Sequence, residues 1–216
     1  NSSYIFEPQL NYKKEWKKLN VNILVGGTFQ YQKMTKLAQS GFGFASDALI
    51  NSLAAATTIT ILNHDVVDYK YNAVFARLNL NWLQKYIVNF TSRRDGSSRF
   101  GSNMRFANFG AFGAAWIFSN ENIFNKENSI LSFGKLRGSY GTTGNDQIGD
   151  YQYLDTYKVS THLYNGVVGL LPSRLYNPDF GWETNKKIEF AFESGFFNDR
   201  LFLSAAWFKN RSSNQL

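Results

Sequence analysis

The feature that most constrains this chain is a two-residue hydrophobic period that recurs along much of its length. Tyr4, Phe6, Leu10 and Tyr12 fall on one parity, and Glu7, Gln9, Asn11 and Lys13 on the other. Successive side chains of a β-strand point to opposite faces, so this is the pattern of a strand with one apolar and one polar side. Pro8 lies on the apolar parity and has no N–H to donate, which suits an edge or a bulge. Leu19, Val21, Ile23, Val25, Phe29 and Tyr31 repeat the pattern against Asn20, Asn22, Thr28, Gln30 and Gln32, with Leu24 the exception. The polar stretch 13–18 between the two predicts a hairpin with long arms. Val74, Ala76, Leu78, Leu80 and Trp82 mark another strand, and Tyr86, Val88 and Phe90 the next. Residues 104–118 follow with weaker parity, then 131–141, then Ile188, Phe190 and Phe192, then Leu201, Leu203, Ala205 and Trp207. The whole reads as all-β, an antiparallel up-and-down meander of about eight strands, several near the roughly 9–11 residues that a tilted strand needs to cross a bilayer.

The connections alternate in length. Those near 13–18, 83–86 and 197–200 are short and that near 120–130 is moderate, with 35–65, 96–103 and 144–183 lying between them. Successive connections of a meander lie at opposite ends of the sheet, so short turns gather at one end and long loops at the other, as in an outer-membrane barrel. Loops above about 15 residues are uncommon inside a compact domain unless they are functional. Within 35–65, Ser46 or Asp47 is placed to cap a short helix through Leu49, Ile50, Leu53 and Ala54, and 57–62 resembles an additional strand. Tyr12, Trp16, Trp82 and Tyr86 cluster at the short turns, where the rings of a membrane-interface girdle would sit.

Composition narrows the function classes. Charged residues make up 18%, below the usual quarter or so, and the 17% of aromatics does not fit a disordered chain. A mean hydropathy of −0.33, with no apolar run near the roughly 20 residues of a spanning helix, excludes a helical membrane protein. There is no Cys, and His64 and His162 are far apart, so disulfides, thiolate sites and local histidine metal motifs are excluded. No cofactor and no metal is expected. Neither G-x-S-x-G, a Walker A pattern nor H-E-x-x-H occurs, and Gly41-Phe-Gly43 lacks the rest of a dinucleotide fingerprint. Glu189 and Glu193 share a strand face about 13–14 Å apart, beyond the roughly 5–9.5 Å of a glycosidase pair. An enzyme is not expected. The 23 basic residues against 16 acidic give a net charge of +7. They are scattered rather than gathered into the patch that phosphate backbones require, so no nucleic-acid partner is expected. Cations near barrel ends suit anionic lipid head groups instead.

Specific words then become recognisable. They are the segment Arg94-Asp-Gly-Ser-Ser-Arg-Phe-Gly101, the segment Lys135-Leu-Arg-Gly-Ser-Tyr-Gly-Thr-Thr-Gly-Asn145 with Ile148-Gly-Asp-Tyr-Gln-Tyr153, and Asn177-Pro-Asp-Phe-Gly-Trp-Glu-Thr184 with the turn Gly195-Phe-Phe-Asn-Asp-Arg-Leu201. In order and spacing they resemble TonB-linked (TonB-dependent) outer-membrane transporters of the SusC/RagA type, from about Tyr69 to the C-terminus and more weakly over 1–68. Members of that family are long chains with an N-terminal extension, a plug domain and a barrel of roughly 22 strands with a plugged lumen. No plug-like segment, TonB box or signal peptide is present. Residues 1–216 are therefore expected to be a partial barrel domain, part of a large transmembrane β-barrel, with long external loops at about 35–65 and 144–183.

The resemblance implies import of large nutrients, oligosaccharide or peptide, across the outer membrane of a Gram-negative bacterium. It also implies a SusD-like surface lipoprotein as lid, and a TonB complex acting through the missing N-terminal part. Arg77, Asn79, Lys187, Glu189 and Glu193 are expected to face the lumen or plug, with the apolar face on the lipid bilayer. Tyr151, Tyr153, Tyr157, Tyr164 and Trp182 are the candidates for ligand contact, by stacking on sugar faces or touching peptide side chains. Packing of loop 144–183 against itself is the alternative for those rings. A non-transport surface β-protein or adhesin that binds through its loops is the other functional reading.

Overall fold

The computed structural model describes residues 1–124 and 130–215, the side chains of Thr161 and Tyr164 excepted. Its strands are β1 (Ser2–Phe6), β2 (Gln9–Trp16), β3 (Leu19–Phe42), β4 (Thr58–Trp82), β5 (Tyr86–Ser97), β6 (Phe106–Trp116), β7 (Leu131–Asn145), β8 (Thr156–Tyr164), β9 (Val167–Arg174), β10 (Glu183–Phe196) and β11 (Leu201–Ser213). Every described pairing is antiparallel. The main sheet runs β1/β2, β3, β4, β5, β6, β7, β10, β11, and β8 with β9 forms a separate two-stranded ribbon. β1 and β2 occupy one position, because both pair with β3 in a single continuous register. The wall therefore has eight positions, the meander that the period of two predicts.

Pro8 explains the break between β1 and β2. It cannot donate to the ladder, yet its carbonyl still accepts from Gly27 N at 3.0 Å, so the strand is interrupted without slipping. An edge position is where a proline does least harm. A Cβ on neighbouring Gly26 would lie 2.7 Å from the Phe75 ring and 3.0 Å from the Pro8 carbonyl, so the crossing admits no side chain there.

The two faces follow the parity. Ile23, Leu78, Phe90, Phe112, Tyr140 and Ile188 lie on one register line of the apolar face, while Asn22, Asn79, Asn89 and Gly113 point the other way. Val74, Phe90, Phe112, Phe190 and Trp207 each leave 50–59% of their surface open. An exposed apolar sheet face of this extent marks a surface that meets a membrane or another protein. The aromatic girdle is equally regular. Trp16 pairs with Leu19, Leu19 with Trp82, Trp82 with Tyr86, Tyr86 with Trp116, Trp116 with Leu136 and Leu136 with Phe192. Phe118 closes the belt, 5.9 Å from Trp116 and stacked 6.1 Å from Phe192.

Three expectations need correction. The segment expected as a loop over 35–65 is mostly ladder, since β3 continues to Phe42 and β4 begins at Thr58. The hydrogen bonding runs past a bulge at Ala38/Gln39. A ribbon with both faces open needs no apolar side, so its side chains lose the alternation while its backbone stays paired. The apparent extra strand at 57–62 is the start of β4. Secondly, the short helix within that segment is two 3₁₀ turns, Asp47–Leu49 and Leu53–Ala55, with Ser46 Oγ accepting from Ala48 N at 3.3 Å. Thirdly, 144–183 holds the β8–β9 ribbon. The weak parity of 104–118 also has a cause. β6 puts Phe109 on the polar side, where it joins a core, and carries Gly or Ala at the other positions of that side.

Candidate functional site

Consecutive strands bring the recognisable words together at the end opposite the short turns. Asp146, just past β7, is 7% exposed. Its Oδ2 accepts from Tyr69 Oη on β4 and from Ser97 Oγ at the end of β5, each at 2.8 Å. Arg99 donates from Nη1 to the Asp146 carbonyl at 2.9 Å and from Nε to Asp150 at 3.0 Å, and lies 4.4 Å over the Tyr69 ring. Burial, together with the carboxylate it donates to, pushes the Tyr69 phenol above its ordinary value, so it remains a donor. Beside this polar knot sits an apolar one, in which Trp182 meets Phe100 at 5.0 Å and Phe109 at 5.6 Å. Trp182 Nε1 donates to the Arg105 carbonyl at 3.2 Å. Together the two knots tie 97–105, 145–150 and 177–182 into one rigid cap over the ends of β4–β7.

Against the cap the polar face forms a hollow of ≈ 720 Å³, with Gln30, Tyr71, Phe75, Arg77, Arg93 and Gln147 on its walls. Arg93 pairs with Asp95 and donates to Tyr71 Oη, with its guanidinium 5.9 Å over the Phe75 ring. The hollow thus offers guanidinium, phenol and amide groups beside flat rings, a mixture able to hydrogen-bond hydroxyl or amide groups and to stack. Farther along the face, Arg137 bridges Glu189 and Glu193, and Lys135 Nζ lies 3.6 Å from Glu193. Asn79 donates to Asn89. Among the described residues no three His, Asp or Glu side chains form a metal-ligand group.

Arg77, Asn79, Lys187, Glu189 and Glu193 all lie on the polar face by register. Arg77 lines the hollow, and the two glutamates belong to the Arg137 network. The aromatic candidates do not converge. Trp182 is 7% exposed in the core and shows the hollow only part of its surface. Tyr151 Oη accepts from Asp68 N at 3.0 Å, and the Tyr153 carbonyl accepts from Asn177 N at 3.0 Å, so both serve to pin the cap. Tyr157 is 56% exposed on the β8–β9 ribbon. The side chain of Tyr164 lies outside the described residues. Sequence reading missed Asp146, Ser97 and Arg99, which carry the cap. The signal was present in the motif words themselves, opposite charges and rings sited just beyond strand ends that a meander brings to one rim.

A model of the family described as TonB dependent receptor-like, beta-barrel matches residues 2–216. The chain is 36% identical over 140 residues to TonB-dependent receptor P39 of Formosa agariphila, covering 65% of this chain and 13% of that protein. It is 30% identical over 204 residues to TonB-dependent receptor SusC of Bacteroides thetaiotaomicron, covering 89% of this chain and 19% of that protein. The solved structure of the RagAB peptide transporter superposes with a TM-score of 0.85 at 32% identity, over 99% of this chain and 24% of that one. The chain thus spans no more than 24% of the length of these relatives. A wall with one apolar and one polar face, belted short turns at one end and knotted loops at the other, is the form of a segment of such a barrel. With the family match over residues 2–216, the chain belongs to the TonB-dependent receptor-like β-barrel family.

Proposed function

We propose that this chain forms part of the wall of an outer-membrane importer for large nutrients, oligosaccharide or peptide. It would work beneath a SusD-like surface lipoprotein and be driven by a TonB complex acting on residues outside these 216. The observation that carries the reading is the pairing of an unprotected apolar face with a polar face that ends in a capped, ring-lined hollow. On this reading the apolar face meets lipid, and Arg77, Asn79, Lys187, Glu189 and Glu193 face the lumen. Buried side-chain oxygens of Asn22 and Asn81 on that polar face have no hydrogen-bond partner among the described residues, which suits contact with a plug, because buried polar atoms are normally satisfied. Ligand passing the cap meets Tyr71, Arg77, Arg93 and Gln147, and the exposed Tyr157 on the β8–β9 ribbon extends the contact surface outwards. The long loops stand on the external side, where an oligosaccharide or peptide arrives with its lid protein.

Uptake of labelled oligosaccharides and peptides by cells carrying the full-length protein, or its deletion, tests this. Deletion is expected to abolish accumulation of one ligand class, and a protonophore to abolish accumulation while leaving surface binding. Replacing 156–174 by a Gly-Ser linker is expected to weaken ligand binding about tenfold or more. Accumulation that persists after deletion across both panels would refute transport. Binding without accumulation in energised cells would favour the adhesin reading.

A further inference from the structure

The cations on the polar face of β4–β7 and β10 divide into two groups. Arg93 is paired with Asp95, Lys135 with Glu193, and Arg137 with Glu189 and Glu193. Arg77 and Lys187 are exposed and have no partner among the described residues. The carboxylates that line the same surface are all engaged: Asp95 by Arg93, Glu189 by Arg137, and Asp146 by Tyr69 and Ser97. The wall therefore presents two positive charges that its own acids do not answer.

These two residues are the ends of a single register line. Arg77 pairs with Thr91, Thr91 with Ala111, Ala111 with Gly141 and Gly141 with Lys187. Four strand spacings of about 4.8 Å set the two backbones about 19 Å apart. Between them the wall is low. Thr91, Ala111 and Gly141 lie on this line, and Gly113 faces Ser139 on the next. A Cβ on Gly141 would stand 2.8 Å from that of Ala111, so the floor admits nothing larger there. The hollow of ≈ 720 Å³ described above holds Arg77, a second of ≈ 340 Å³ holds Lys187, and Ala111, Thr142 and Thr143 line both. The two hollows are thus one trough with a cation at each end. Each cation has a flat ring for company, Phe75 on the Arg77 side and Phe208 on the Lys187 side. Phe208 is 66% exposed and lies opposite Glu189, on the polar parity of β11, where the segregation of apolar groups gives no reason for a ring.

We propose that this trough selects an acidic oligosaccharide, one bearing uronate or sulfate groups, by holding two of its anionic groups at once, one on Arg77 and one on Lys187. The inference deepens the importer reading above and rests on it, since that reading leaves oligosaccharide and peptide both open and says nothing of charge. Guanidinium and ammonium groups form charge-assisted hydrogen bonds with such anions, and Arg77 can do so bidentately. An exposed cation in water needs no partner; what marks these two is their alignment across a bare floor, each beside a ring. A sugar fits better than a peptide for a stated reason. Extended peptides are held largely by main-chain hydrogen bonds to a free strand edge, whereas the strands of this floor are paired on both sides. The face offers side-chain hydroxyls from Ser139 and Thr143 and the rings of Phe75 and Phe208, which suit the hydroxyls and apolar faces of sugar units.

The test titrates the full-length protein, purified in detergent, with hexagalacturonate and its methyl ester, with a sulfated galactan hexamer and its desulfated form, and with hexaglutamate. At least one acidic sugar is expected to bind about tenfold or more tightly than its uncharged counterpart. Arg77→Gln and Lys187→Gln should each lose about tenfold for that sugar, and Arg77→Lys, which keeps the charge without the fork, less. Wild-type affinity should fall as salt rises, and the double variant should lose most of that dependence. Lys186→Gln, adjacent in sequence but on the opposite face, should stay within about twofold of wild type. Heat-modifiable electrophoretic mobility reads the folding of each variant, and the comparison of charged with uncharged sugars on wild type needs no variant at all. Equal binding of charged and uncharged hexamers, or unchanged affinity in the folded double variant, overturns the trough. So does hexaglutamate bound more tightly than either acidic sugar, or binding of none of the probes. Uptake that is lost on deletion but confined to neutral ligands leaves the importer reading standing while the trough falls. Uptake unchanged by deletion across both panels removes the importer reading, and the trough with it.

Discussion

Asp146→Ala removes the acceptor around which the loop cap is built. Two buried donors on Oδ2 lose their partner, Tyr69 Oη and Ser97 Oγ, at 8% and 1% exposure, and Gln147 Nε2 loses a long contact to Oδ1 at 3.4 Å. A hydrogen bond to a charged acceptor contributes about 1.5–3 kcal/mol, so losing two costs about 3–6 kcal/mol. Removing a buried carboxylate also relieves its own desolvation, which leaves a net loss of about 2–4 kcal/mol. The contact from Arg99 to the Asp146 carbonyl survives, because it uses the backbone. The loss is local: the ladders of β3–β7 do not depend on this carboxylate, so the cap opens while the wall stays formed. At about 1.4 kcal/mol per factor of ten, amide protection in 97–105 and 144–150 should fall about 30- to 700-fold. Hydrogen exchange read by mass spectrometry on the full-length protein measures it, with the β4–β5 ladder near Trp82 as the unchanged internal reference. Asp146→Asn keeps one acceptor oxygen and should lose about tenfold. Protection within about threefold of wild type in the alanine variant would refute the reasoning.

Other perturbations test separate parts of the molecule. In the turn beyond β6, Tyr86 Oη and Lys85 Nζ donate to Glu121 at 2.7 and 2.9 Å and Trp116 Nε1 at 3.2 Å, which holds its carboxyl down at about 2. A depressed folded value means this support is complete above the ordinary 4.5 and is lost as pH falls towards 2. Exchange protection of 117–124 should fall across that window and lose this dependence in Glu121→Gln; an identical pH profile in the variant would contradict the assignment. Gly144→Ala would set a Cβ 2.0 Å from the Phe109 ring, which Trp182 prevents from swinging aside. It should destabilise the protein by about 1–3 kcal/mol in urea unfolding, and a wild-type midpoint would show that the ring can move. Leu83 and Gln84 both hold positive φ, 59° and 56°, at the β4–β5 turn. Gln84→Gly should raise stability by about 0.5–1 kcal/mol, and a lowered or unchanged midpoint would refute strain at that turn.

Much of the wall is legible without coordinates because a strand offers its side chains only two directions. The alternation of Leu19–Tyr31 and of Ile188–Phe192 therefore states at once which groups share a face and that one face is apolar. The same parity places Arg77, Asn79, Lys187, Glu189 and Glu193 together, and the spacing of Trp16, Trp82 and Tyr86 from their turns marks the girdle. Ladder pairing alone is different, since it uses backbone groups that every residue possesses. Where the β3–β4 ribbon leaves the apolar band, its sequence from 36 to 42 carries no sign that the ladder continues. The cap is hidden for another reason. Tyr69, Ser97 and Asp146 meet across separations of 49 and 77 residues, and nothing local in any of the three segments says which donor a buried carboxylate will find. Trp182 reads as a ligand ring in sequence and proves to be core, because its burial depends on Phe100 and Phe109 arriving from other strands. Sequence by itself determined the faces, the strands and the ends of the sheet, through covalent geometry and the segregation of apolar groups. Only the tertiary structure decided how far the ladders run and which loop groups satisfy one another, because those are set by register between distant strands.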